Sequence, residues 1–268
     1  MHHPIKTIFS TAIGIAILGG TLAVAGSSAP SSASVNKAFD ALKTYNYGTD
    51  RNVLKPIDDA VIAAHGNLDA SKTLETRLAA VLSSDDSRDA KEFALRRLRI
   101  IGTAASVPAI APLLEDKKLS HMARYALELN PAPEAGQALR DALPKVSGKL
   151  KIGVIGSLAS RRDTESVPAI AASLEDTDAA IACTAAHALG AIGDSAAAKQ
   201  LADFLPKAEG KVKVAATDAE LVCAEKLLKH GKKAEAVAIY KSLMHSSEPK
   251  NIRLAATHGL LVAAQTKE

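Results

Sequence analysis

The phrase SVPAIA opens at Ser106 and again at Ser166, sixty residues on, and each time it leads into an alanine- and leucine-rich stretch. A chain that writes one segment twice is built of units, and a small unit must find its core in its neighbours. From Ser166 the pattern is helical. Ser166 is placed to cap a helix, and Pro168 falls in the first turn, where a missing N–H costs nothing. Val167, Ile170, Ala171 and Leu174 recur at helical spacing before Glu175-Asp176-Thr177-Asp178 interrupts. A second helix is expected from about Ala179, with Ile181, Ala185, Ala188, Leu189 and Ile192 along one stripe. Gly193 stops it and Asp194-Ser195 caps the next. The unit is a helical hairpin of about thirty residues.

The same hairpin can be laid along most of the chain. Second helices are expected at 89–102, 118–130, 149–163 and 251–261, and first helices near 69–82, 106–115, 133–144, 166–175, 195–205 and 233–244. Superposing the second helices aligns Ala94, Ala123, Val154, Ala185 and Ala256, and four residues further Leu98, Leu127, Leu158, Leu189 and Leu260. The sixty-residue echo is therefore two hairpins. Aromatics are only 3% of residues and Trp is absent, so alanine and leucine supply the apolar surface, with alanine also the best helix former. The fold class expected is all-α: a right-handed α-solenoid, a superhelix of about six stacked hairpins.

TAAHALGAIGD and NIRLAATHGLL resemble the second helix of HEAT repeats of the short bacterial kind, including those similar to phycobilin lyase subunits, which commonly read Val-Arg-x-Ala-Ala-x-x-Ala-Leu-Gly-x-Ile-Gly-Asp. Ala182 stands where that pattern has Arg. The resemblance covers about residues 69–268 and implies a helical-repeat array. LSHMARYALE, GVIGSLASRRD and SVPAIAASLED are also similar to repeat segments of exported bacterial proteins, some fused to carbohydrate-active or cytochrome-like modules; no such module follows here. LLKHGKKAEAVAIYKSLMHSSEPK resembles a tetratricopeptide hairpin, with Gly231, Ala236, Tyr240 and Pro249 at its marker positions, and is taken as the closing hairpin, about 211–268.

Ahead of the repeats, residues 35–68 break the pattern and are read as capping helices, with Tyr45 and Tyr47 covering the first repeat's open core; the alternative is a platform on which a ligand stacks. Residues 1–25 form a separate unit. MHHPIK is a short positive start, TIFSTAIGIAILGGTLAV an apolar run, and Ala23–Ala25 a small-residue exit, the pattern of a cleavable export signal cut near Ala25. The run is long enough to serve as a retained membrane anchor instead. GSSAPSSAS (26–34) is read as a disordered linker. The expected location is the periplasm or the extracellular space, where a Cys183–Cys223 disulfide can form, though two small packed thiols are the simpler reading.

Chemistry is sparse. His65, His121, His187, His230, His245 and His258 never recur at ligand spacing, and no metal or cofactor site is indicated. No P-loop, nucleophile elbow or dinucleotide fingerprint occurs, and the glycines of GVIGS read as helix-contact residues. Asp58-Asp59 and Asp85-Asp86 fall at helix starts, where negative charge suits the dipole. No catalytic residue is assigned. What remains is a set of cations: Lys91, Lys151 and Arg253 share one register, Lys213 joins them, Arg96, Arg99 and Arg124 lie further along related helices, and Arg161-Arg162 form a corner. Two readings stand. In one, each cation meets the preceding hairpin's loop carboxylate, such as Asp116 or Asp176. In the other, Lys91, Arg96, Arg99, His121, Arg124, Lys151, Arg161, Arg162 and Arg253 face a partner protein with an acidic surface, on the concave side of the second helices. Nucleic acid is not expected, because no aromatics interleave the cations. Net charge is +4, or about +3 without Lys6, with both signs interspersed. The functional expectation is an exported, non-catalytic scaffold; the alternative is an accessory module of a cell-envelope carbohydrate-active enzyme, or a lyase-like enzyme.

Overall fold

The structure, a computed structural model, describes residues 29–245 and 249–266. The export signal and the start of the linker lie outside the described residues. Among the described residues fourteen α-helices follow in order: α1 Ser32–Lys43, α2 Lys55–Ala63, α3 Leu68–Leu82, α4 Arg88–Ile101, α5 Val107–Ile110, α6 Ser120–Glu128, α7 Pro133–Ala142, α8 Gly148–Arg161, α9 Val167–Ala172, α10 Ala179–Ile192, α11 Ser195–Phe204, α12 Gly210–Lys229, α13 Lys233–Ser242 and α14 Lys250–Gln265. Among the described residues no strand forms beyond an isolated bridge between Tyr47 and Thr49. The architecture is an all-α array in which the second helices α4, α6, α8, α10, α12 and α14 each pack on the next, with the first helices behind them.

Helix starts are set by side chains that satisfy the free N–H groups of the first turn. Asn67, Ser87, Asp178 and Asp194 accept from Ala70, Ala90, Ala180 and Ala197. Gly193 closes α10 with φ 67°, a left-handed residue that glycine adopts without strain. The first helices behave differently. Four of them end in a tighter 3-10 turn, at Ala111–Leu114, Leu143–Lys145, Ser173–Glu175 and Leu205–Lys207. Pro112, Pro144 and Pro206 sit inside three of these turns, where a missing N–H breaks the α ladder.

Ser166 does not cap a helix with its side chain. It is fully buried, its hydroxyl donates to Asp163 O at 2.6 Å, and the cap belongs to Asp163, whose Oδ1 accepts the Ser166 N–H at 2.9 Å. Ser106, the first copy, does the same: its hydroxyl donates to Thr103 O and its N–H to buried Glu75. The repeated serine closes a tight turn, and a carboxylate three residues or one hairpin away does the capping.

The core is one continuous apolar cluster from Val35 to Ala263. Ala94, Ala123, Val154, Ala185 and Ala256 are all 0% exposed, as is Ala216, which holds that register in α12. Leu98, Leu127, Leu158 and Leu189 are buried one turn later, each stabilising the array by about 1.5–3 kcal/mol. Leu260 is only half-buried, since nothing described packs beyond α14. At the other end α1 begins at Ser32, inside the stretch read as linker. Phe39, Leu42, Leu54 and Ile57 fill the cap, with the Arg77 guanidinium 3.8 Å above the Phe39 ring. Tyr45 is half-buried but Tyr47 is 92% exposed and covers no core.

Candidate interaction face

The register that buries Ala94, Ala123, Val154, Ala185, Ala216 and Ala256 also fixes what the second helices show to solvent. Two residues on, roughly half a turn around each helix, stand Arg96, Tyr125, Gly156, His187, Asp218 and His258. Six residues on stand Ile100, Leu129, Ser160, Ala191, Val222 and Val262; two residues before stand Glu92, His121, Ile152, Cys183, Val214 and Leu254. None of these eighteen is buried. They form three rows across the helices. From α4 onward nine large apolar side chains are exposed among the described residues, and seven lie in these rows: Ile100, Tyr125, Leu129, Val214, Val222, Leu254 and Val262. Scattered exposed apolar residues carry no meaning, but confinement to one face does.

The cations separate into two groups. Arg124 and Arg161 are turned into the array. Arg124 occupies a register that is buried as Leu95, Ile155, Ala186 and Thr217 in other second helices. Its guanidinium donates to Gly153 O at 3.1 Å and reaches Ser157 Oγ at 3.4 Å. Gly153 makes the space: a Cβ there would fall 2.4 Å from Arg124 Cζ. Burial pulls the Arg124 guanidinium below its ordinary pKa, against the opposing charge of Glu128. Arg161 donates to Leu127 O and Asn130 O, both at 2.6 Å, and so satisfies carbonyls at the end of α6. Lys226 does the same for α10 by donating to Ala191 O.

Lys151 pairs with Asp176 at 2.7 Å, and that bond, with the Asp178 N–H, holds the Asp176 carboxyl below the usual carboxylate range. Asp176 lies in the loop of the following hairpin, so the rung runs forward along the array rather than back. Asp116 is engaged instead by the Lys118 and Leu119 N–H groups.

Arg96, Arg99, His121, Arg162, Arg253 and Lys91 remain at the surface, wholly or in part. Arg99 stacks on the Tyr125 ring at 3.6 Å, which ties the α4 and α6 parts of the face together. Arg96 reaches Glu92 only at 3.9 Å. Arg162 holds a left-handed backbone at the end of α8, φ 52°, as a helix-terminal corner. Arg253 shares the Lys151 register on α14. The α4–α6 part of the face thus carries Arg96, Arg99 and His121 with Tyr125, Ile100 and Leu129, while Arg162 stands at the end of α8 and Arg253 on α14. The exposed rows were not anticipated, although counting two and six positions on from the aligned alanines finds them.

Sequence patterning also missed the charges paired across hairpins. Arg97 pairs with Asp58 at 2.5 Å and lies 3.5 Å over the Phe93 ring. Arg140 pairs with Asp163, also at 2.5 Å. The six histidines among the described residues are all exposed, and among those residues no three His, Cys, Asp or Glu side chains converge as a metal site would require. Cys183 and Cys223 are free thiols, the first half-buried and the second fully buried. Among the described residues no helix is long and apolar enough to cross a membrane.

Residues 136–219, from α7 into α12, match the family model described as HEAT repeats. No curated protein matches the chain. Among solved structures, the complex of CpcE and CpcF of phycocyanin lyase from Nostoc sp. PCC7120 is similar over 84% of this chain and 93% of that one, at 17% identity and a TM-score of 0.40. Two engineered proteins are similar over 86% of this chain. One is covered over 69% of its length at 20% identity and a TM-score of 0.42, the other over 96% at 19% and 0.28. Residues 136–219 thus match HEAT repeats, and the same buried register runs to either side of them in one helical-repeat array.

Proposed function

We propose that the chain is an exported, non-catalytic scaffold that binds another protein through the exposed face of its second helices. The observation that carries this reading is that seven of the nine large apolar side chains exposed from α4 onward among the described residues stand in three rows on that face. Helical-repeat arrays use such extended surfaces for binding. Interfaces are anchored by aromatic and arginine side chains within an apolar surround. The α4–α6 part offers that combination in Arg96, Arg99, Tyr125, Ile100 and Leu129, and its cations suit an acidic patch on the partner. Lys151, Arg124 and Arg161 are already committed inside the array and are not part of the docking set. The leader pattern at 1–25 supports export.

Affinity capture from the extracytoplasmic fraction tests both parts. The full-length gene product is expected to appear there without residues 1–25 by intact mass, and to hold a partner that is lost at least about tenfold in Arg96→Glu/Arg99→Glu. Capture of no specific protein, or capture indifferent to the double reversal, rejects the docking assignment. Retention of the chain in the cytoplasm rejects export.

A further inference from the structure

We infer that the second-helix face also pairs two copies of this chain, antiparallel about a two-fold axis. Under a two-fold axis that runs along the helices, one patch meets itself in reversed order, so a suitable patch must complement itself from both ends. The row six residues on from the buried alanines does so: Ile100 and Leu129, then Ser160 and Ala191, then Val222 and Val262. Two large apolar residues, two small ones, two large apolar ones. An axis between α8 and α10 sets α4 against the second copy's α14, α6 against its α12 and α8 against its α10. Ile100 then meets Val262 and Leu129 meets Val222, each contact occurring twice.

Two of the three pairs in the middle row agree with the same axis. A Cβ added at Gly156 would meet nothing within 4 Å, so the α8 surface is open there, and the axis places exposed His187 of the second copy opposite it. Tyr125, with Arg99 stacked on it, falls opposite Asp218, and the exposed carboxylates Asp218 and Glu225 lie at the end of the face that approaches the Arg96–Arg99 end of the other copy. The Tyr125–Asp218 and Gly156–His187 pairs thus fit the operation that sets Ile100 against Val262. Six helices at a spacing of about 10 Å, each offering about 10 Å of exposed length, give about 600 Å² per copy. That is near the lower end for specific pairing, so association is expected at micromolar concentration.

Sedimentation velocity of the full chain, run from about 1 to about 100 µM, tests the pairing. A monomer–dimer equilibrium is expected, weakened at least about tenfold by Leu129→Lys or by Val222→Glu, because each buries a charge against an apolar side chain. Carrying both changes restores dimerisation to within about threefold, since the axis brings the introduced lysine against the introduced glutamate. All three sites used here are exposed, and Leu68→Glu on the N-terminal cap, 86% exposed in the wild type, serves as the silent control. A monomer at every concentration overturns the inference, as does a dimer indifferent to positions 129 and 222, or a species that grows beyond two copies. This pairing rests on the same face as the docking reading but not on its truth: a monomeric chain that still captures a partner sinks only the dimer, and a dimer that captures nothing sinks only the docking.

Discussion

The carboxylate of Glu75, 3% exposed, accepts the Thr103 N–H at 2.6 Å, the Ser106 N–H at 3.1 Å and the Thr103 hydroxyl at 3.0 Å. A buried charge is tolerated only when its acceptor capacity is filled in this way. Cys223 shows the opposite solution, a buried group kept neutral. Its thiol is fully buried, approaches Leu189 O at 3.7 Å, and is pushed up to about 12 by desolvation and the nearby Glu220 charge. An unfolded thiol ionises near about 8.5, so the folded value is the higher one. The stability this thiol contributes is complete below about 8.5 and is lost as pH rises toward about 12, at up to about 1.4 kcal/mol per pH unit. Urea unfolding between pH 8 and 10.5 is therefore expected to show a steeper loss for the wild type than for Cys223→Ala. Parallel profiles would refute it. Such residues were not legible in the sequence. Glu75, Arg97 and Asn130 read locally as polar positions on helices, and the partners that define them, Thr103, Asp58 and Thr103 O, lie 27 to 39 residues away.

Between elements, the closest approach is governed by glycine. Gly190 on α10 shares its register with Arg99, Glu128, Ala159, Leu221 and Leu261, and a Cβ there would lie 3.1 Å from the Cα and Cβ of Ala219 on α12. The backbone of α12 has nowhere to retreat without opening the core at Ala216 and Cys223, both 0% exposed. Gly190→Val is expected to cost about 2–4 kcal/mol by forcing the two helices apart. Gly190→Ala costs less, since a few tenths of an ångström of displacement are offset by about 1 kcal/mol of helix propensity. Denaturant midpoints measure both, and a valine variant as stable as the parent would show that α10 and α12 are not in van der Waals contact there. Helix extents were the legible part at this scale, because each carries its own stripe and punctuation, as at Gly193 and Asp194. The 3-10 ends of the first helices were less so: proline marks an interruption, but whether the chain leaves the helix or tightens is settled by packing against the second helix.

For the molecule as a whole, contact passes only from unit to unit, so stability depends on having neighbours on both sides. In α10, eight of fourteen residues are buried, while in α14 only four of sixteen are. Hydrogen exchange followed by mass spectrometry should find the slowest amides in α8, α10 and α12 and the fastest in α13 and α14, with opening free energies rising toward the centre. Uniform protection along the chain would mean a single cooperative globule instead. The array was legible from the alanine register alone. The use of its face was not, because the register identifies which residues are hidden by naming those that repeat, whereas the exposed rows change identity from helix to helix. One consequence follows from Ala94, Ala123, Val154, Ala185, Ala216 and Ala256 sharing a single environment. A hairpin excised or copied with its flanking turns takes both of its mating surfaces along, so recombination within the gene can lengthen or shorten this molecule without inventing a new interior.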